Sequence, residues 1–152
     1  MKENKDRPDG VVELARFWPY QLTVLADRIA RRTSRIVRDE GGINLSQWRV
    51  LAAIAEEPGR TSADVEQVTP MDKGMVSRSI KGLLNLGLVW REASQDDGRI
   101  SHLQLTSDGR SLYRKLMPRV AEVLAWAETS MSSAELSILS ENLRRLMSVI
   151  PR

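Results

Sequence analysis

The 152-residue chain has no cysteine, one histidine, one phenylalanine and two tyrosines. Without cysteine there is no disulfide framework, no thiolate zinc site and no thiol redox switch. One histidine, His102, with no regular carboxylate cluster around it, cannot build the usual zinc site. Nor does it supply a base placed for a serine nucleophile. No phosphate-cradling glycine loop occurs. No run approaches the roughly 20 apolar residues of a membrane span, and the opening MKENKDRPDG lacks the apolar block of a secretory signal. These absences point away from an enzyme, a metal or cofactor carrier and a membrane protein, and toward a soluble cytoplasmic protein. Charge of one sign is also scarce. Against 20 acidic residues stand 23 basic ones, for a net charge of +3, so the position of the charge decides more than its sum.

What is present is helical periodicity around one short hairpin. From Val11 to about Arg38 the apolar residues Trp18, Leu22, Leu25, Ile29 and Ile36 fall on one helical stripe, with Pro19 marking a start or a kink. Gly41–Gly42 ends this helix. A second is expected from Ser46, as its cap, to Glu57, followed by Pro58–Gly59. Thr61 caps a short third helix, Ser62 to Val68, with Asp64 placed to bond back. Asp72 caps a fourth that runs to Leu86, where Gly87 supplies the left-handed stop. Leu88 to Glu92 and Arg99 to Leu105 read as strands joined by a polar turn. Thr106 caps a fifth helix with the stripe Leu112, Leu116, Val120, Val123 and Ala127, which Pro118 should bend or break. Ser132 and Glu135 form the capping box of a last helix, whose Leu136, Leu139, Leu143, Leu146 and Ile150 keep a seven-residue repeat. The fold class is mainly α with a small β-hairpin.

The fourth helix carries the chemistry. At 100° per residue, Val76, Ile80, Leu83 and Leu84 fall on one side, and Gly74, Ser77, Arg78, Lys81 and Asn85 on the other. No acid interrupts that second face. A small residue, a hydroxyl and cations near a helix start are what insertion into a major groove needs. Arg78 can grip a guanine edge, Ser77 a base or a phosphate, and Lys73 and Lys81 suit phosphates. Most polar helix faces are merely solvated, but glycine costs a helix about 1 kcal/mol and such a face has no use for Gly74. The short capped helix before it completes a helix-turn-helix layout. In the turn, Asp97-Gly98-Arg99 puts a cation at the hairpin tip. Arginine there can enter a narrow minor groove, although an Asp-Gly turn by itself accounts for the sequence.

Thr61 to Gly109, above all Asp72-Lys73-Gly74-Met75-Val76-Ser77-Arg78, Leu86-Gly87-Leu88-Val89, Asp97-Gly98-Arg99 and Leu105-Thr106-Ser107-Asp108-Gly109, resembles the MarR/SlyA-type bacterial transcription regulators. The flanking helices follow that family's order as well. The resemblance implies a single MarR-type domain over 1–152. Residues 45–106 would be a winged helix-turn-helix lobe, and 11–40 and 107–150 dimerisation helices. It implies a homodimer on a pseudo-palindromic operator in double-stranded DNA, more often repressing than activating. Arg99 would be the minor-groove arginine and Asp97 its buttress, with Lys73, Gly74, Ser77, Arg78 and Lys81 in the major groove. Ser94 departs from the acid that family members often carry three residues before Asp97. The family's small aromatic effectors would find Trp18, Leu22, Trp48 and Arg49 as lining residues, although the core reading is the safer one for each. The heptad of the last helix independently favours a dimer. Arg28, Arg31, Arg32, Arg35 and Arg38 read as a solvated face partly neutralised by Asp27, Asp39 and Glu40, ahead of a surface for phosphate contact or for an acidic partner. The rival to all of this is a winged-helix module that binds proteins and no DNA.

Overall fold

The computed structural model describes residues 12–93 and 101–151. Their order is a single 3-10 turn (Leu14–Arg16), α1 (Trp18–Gly41), α2 (Leu45–Glu56), α3 (Ser62–Val68), α4 (Lys73–Asn85), β1 (Val89–Ala93), β2 (Ser101–Leu105), α5 (Ser107–Glu128) and α6 (Ser133–Val149). Pro19 sits in the first turn of α1, where its missing N–H is no loss, so the helix starts there and does not kink. Gly42, at φ 66°, ends it.

The cap of α2 corrects the sequence expectation. Asn44, not Ser46, holds that position: its side chain accepts the Gln47 N–H at 2.9 Å, and the Gln47 side chain accepts the Asn44 N–H at 2.9 Å. Asn44 has a reciprocating amide three residues on, whereas Ser46 would face Arg49, which cannot accept. The other caps fall as read. Thr61, Asp72, Thr106 and Ser132 accept the backbone N–H of Asp64, Met75, Gly109 and Glu135. Pro118 neither ends nor divides α5, which runs unbroken from Ser107 to Glu128.

The hairpin is antiparallel and pairs Val89 with Leu105, Arg91 with Leu103 and Ala93 with Ser101. Leu103 and Leu105 are buried and their neighbours are not, the alternation of a sheet with one wet face. The loop after α2 adds a third partner that the sequence pattern did not announce. Gly59 N–H donates to the Leu103 carbonyl and Leu103 N–H to the Arg60 carbonyl, both at 2.9 Å. Arg60 fixes that loop to α2 by donating to the Ala53 carbonyl at 2.7 Å and pairing with Glu56 and Glu57.

One core joins these parts. Leu51, Ile54, Ile80, Leu83, Leu103 and Leu116 are fully buried side chains from α2, α4, β2 and α5, each contributing about 1.5–3 kcal/mol on burial. Trp48 caps the cluster and stacks on Tyr113 with ring centroids 5.6 Å apart. The outer helices contribute little. No residue of α6 is buried, and α1 buries only Thr33, Ile36 and Val37 near its end.

Two stability predictions follow from the caps. Asn44→Ala should cost about 1 kcal/mol in urea unfolding and Ser46→Ala close to nothing; equal losses would contradict the assigned cap. The Asp64 carboxyl lies below its ordinary value because the Thr61 N–H and then the Thr61 hydroxyl donate to it. A carboxylate whose folded pKa is depressed stabilises above its unfolded value, about 3.9, and that contribution is lost as pH falls through the folded value. The melting temperature of Asp64→Asn should therefore lie below wild type at neutral pH and converge with it as pH falls below about 4. A gap independent of pH would refute the charge-dependent part of the cap.

Candidate nucleic-acid interface

The helix-turn-helix is set by three local facts. Asp72, extended at φ −76° and ψ 166°, starts α4 by accepting the Met75 N–H through Oδ1 at 2.7 Å. Thr69 at the turn is buried and donates its hydroxyl to the Val65 carbonyl at 2.7 Å, closing α3 against α4. Gly87, at φ 67°, then reverses the chain into β1, and Leu88 N–H returns to the Leu83 carbonyl at 3.0 Å.

Within this frame α4 has two unlike sides. Val76, Ser79, Ile80 and Leu83 are buried against α2 and α3. Lys73, Gly74, Ser77, Arg78 and Lys81 are all exposed, and so is Asn85. Leu84, expected inside, is half-buried and packs at the edge of the core. The exposed side therefore bears three cations and no acid other than the capping Asp72. Asp97 and Arg99, expected at the hairpin tip, lie outside the described residues.

Gly74 has a local reason that the sequence pattern did not contain. A Cβ there would stand 3.2 Å from Asp72 Oδ1 and 3.3 Å from Arg78 Nη1. The Arg78 guanidinium thus folds back along the first turn, over the glycine and beside the cap. Glycine leaves this strip of backbone open and lets Arg78 lie flat on it.

Arg78 also lines a groove of 470 Å³ between α4, the start of α2 and α1, together with Ser34, Asn44, Ser46, Met75 and Ser79. The part played by α1 was not evident from the sequence, since Ser34 lies far from α4 along the chain. A second cavity, of 440 Å³, is lined by Trp48, Arg49, Thr69, Tyr113, Met117 and Val120 among others. It brings together Trp48 and Arg49 of the four residues considered for a small aromatic ligand. Trp18 and Leu22 do not line it: Trp18 is 48% exposed near the start of α1. The aromatic residues Tyr20, Trp90 and Trp126 are exposed as well. Among the described residues no group of histidines and acids could hold a metal ion, and no helix is long and apolar enough to cross a membrane.

Residues 41–100, from the end of α1 up to the start of β2, match the model of the MarR family. The match covers the winged segment, less than half of the chain. The likeness of fold extends beyond it. A MarR-family transcriptional regulator from Silicibacter pomeroyi is 22% identical, with a TM-score of 0.83 over 95% of this chain and 97% of that one. FabT from Streptococcus pneumoniae, solved in complex with DNA, is 22% identical, with a TM-score of 0.72 over 90% and 96%. PcaV from Streptomyces coelicolor, a transcriptional regulator solved with its natural ligand, is 23% identical, with a TM-score of 0.71 over 91% and 97%. No curated protein matches the chain in sequence. The outer helices α1, α5 and α6 thus belong to the shared fold and are no addition to it.

Gly74→Ala separates a structural from a functional role for the bare backbone. Alanine gains about 0.5–1 kcal/mol of helix propensity over glycine, against a small displacement of the Arg78 guanidinium and of the capping Asp72 carboxylate. The melting temperature should not fall, while affinity for duplex DNA should drop by about tenfold or more, a contact worth about 1.4 kcal/mol. A stabilised variant that binds DNA like wild type would remove the close-approach role of Gly74.

Proposed function

We propose that the chain is a homodimeric, DNA-binding transcriptional regulator, a repressor released by a small-molecule effector, acting in the cytoplasm and carrying out no catalytic step. One observation carries the DNA reading. On a winged helix-turn-helix, the side of α4 turned away from the core presents Lys73, Ser77, Arg78 and Lys81 with no acid among them. Seated in a major groove, Arg78 would read a guanine, Ser77 a neighbouring base or phosphate, and the two lysines the backbone. Arg99, steadied by Asp97, would reach the adjoining minor groove from the hairpin tip.

The dimer reading rests on apolar surface that one copy leaves uncovered. Leu25 and Ile29 on α1, Leu124 and Trp126 on α5, and Ile138 and Met147 on α6 are all exposed. A monomer rarely leaves so much apolar area in water. The segments 11–40 and 107–150 would pair with those of a second copy, and two lobes 45–106 would meet half-sites about 34–36 Å apart on one face of the operator. A small aromatic ligand suits the cavity at Trp48 and Arg49, where a ring meets stacked aromatics and an acid group meets a guanidinium. A change in lobe spacing on binding would then cost operator affinity.

Fluorescence anisotropy against the chain's own upstream intergenic duplex, at two salt concentrations, tests the DNA reading. Wild type should bind with a steep salt dependence. Arg99→Ala should lose about tenfold or more in affinity, and Arg78→Ala should lose discrimination between that duplex and a scrambled one, at about 1–3 kcal/mol for a bidentate base contact. Binding that ignores salt, or is absent, would point instead to a module for protein partners.

A further inference from the structure

The row of arginines on α1 runs beside Ser34, which shares a groove with α4, and most of the acids beside the row are not available to neutralise it. Glu40 pairs with Arg119 of α5 and so faces away from the row. Arg32 is also drawn to α5, where it pairs with Glu122 and lies 4.0 Å from the centre of the Trp126 ring. Four arginines, Arg28, Arg31, Arg35 and Arg38, then share two acids. Asp27 bonds Arg31 at 2.8 Å and Asp39 bonds Arg38 at 2.9 Å. Among the described residues Arg28 and Arg35 make no ion pair. Arg31 and Arg38 keep 77% and 65% of their side-chain surface in solvent despite theirs, so those pairs are weak and readily exchanged.

Position gives this surplus a direction. At 100° per residue, Arg31, Arg35 and Arg38 fall within roughly 60° of one another on α1, and Ser34 lies about 40° further round. Ser34 lines the groove that Arg78, Met75 and Ser79 of α4 line from the other wall, with Asn44 and Ser46 at its end. Going round α1 from Ser34 toward solvent, Arg38 comes first, then Arg31 and Arg35. A helix with its side chains is about 10–12 Å across and the major groove is about 12 Å wide, so whatever flanks a seated recognition helix meets the sugar-phosphate strands. We infer that Arg31, Arg35 and Arg38 of α1 form a second, sequence-independent DNA surface that holds backbone phosphates along the α2-facing flank of α4. This rests on α4 being the DNA-reading helix. It replaces the expectation that the row is merely solvated.

The surface is tested on the full chain by anisotropy titrations over a salt series, with the upstream intergenic duplex and a scrambled duplex of equal length. For the triple variant Arg31→Ala, Arg35→Ala, Arg38→Ala, the slope of log affinity against log salt should become shallower by about 0.9 for each phosphate released. Affinity for both duplexes should fall by the same factor. The double variant Asp27→Asn, Asp39→Asn frees Arg31 and Arg38 and should shift both quantities the other way, which keeps the test alive if the triple variant folds poorly. A wild-type slope in both variants would overturn the inference and leave α4 as the whole interface. A loss confined to the intergenic duplex would overturn it too, since phosphate contacts do not discriminate. Wild type with no salt-dependent binding to either duplex would remove the DNA reading and this surface together.

Discussion

Leu88 and Gly109 meet where α4, the hairpin and α5 converge. A Cβ on Gly109 would stand 2.0 Å from the Leu88 carbonyl oxygen, a separation no side chain can occupy. Thr106 completes the junction with three hydrogen bonds: its N–H donates to the Leu88 carbonyl at 3.1 Å, its hydroxyl donates to the Gly87 carbonyl at 2.7 Å, and the same oxygen accepts the Gly109 N–H at 3.0 Å. The chain leaving α4 is thereby bound to the chain entering α5, and both strands of the hairpin emerge from one rigid point. The angle between α4 and the wing depends on this crowded backbone contact more than on any pairing within the hairpin, which is only two strands of five residues each.

A second junction ties α1 to this unit, and packing carries it further than charge does. Glu40, Arg119, Glu122 and Arg32 form a chain of ion pairs between α1 and α5, with Lys115 donating to the Glu40 carbonyl at 2.6 Å. Arg119 is half exposed, and ion pairs in such positions contribute about 0–1 kcal/mol each. Gly41 is the tighter constraint. A Cβ there would come within 2.7 Å of Leu116 Cδ1, so the end of α1 lies directly on a core leucine of α5. The ion pairs then fix the rotation of two helices whose separation is already set.

The boundaries that were legible in the sequence are those decided within four residues of chain. The Thr61–Asp64 and Ser132–Glu135 boxes, the Asp72 and Thr106 caps, and Gly42 and Gly87 as left-handed stops each satisfy backbone groups locally, so composition at those positions suffices. Asn44 is of the same kind, and was misread because the serine two residues on is an equally good cap taken alone. What could not be read is non-local. The pairing of Gly59 and Arg60 with Leu103 joins segments separated by two helices, and no periodicity in the loop signals it. The adjacency of Ser34 to Arg78 is likewise a product of how α1 crosses the core. The heptad of α6 was legible as a stripe, yet in one copy of the chain none of it is buried. A repeat says that a face wants a partner without saying which. The exposed face of α4 was readable residue by residue because burial of Val76, Ile80 and Leu83 fixes which way everything else must point.

The two cavities lie along one mechanical line, and α2 is the part they share. The cavity with Trp48 and Arg49 opens between α2 and α5, and the groove with Arg78 lies where the start of α2 meets α4. Between them α2 has no slack. Five of its twelve residues are buried, and Gln47 presses so closely on Gly82 that a Cβ there would fall 2.5 Å from the Gln47 amide nitrogen. A ligand that separated the Trp48–Tyr113 stack would have to move α2 as a body, because a packed helix transmits displacement and does not absorb it. Gln47 would carry that motion to the last turn of α4. Glycine at position 82 admits the Gln47 side chain where α2 meets α4.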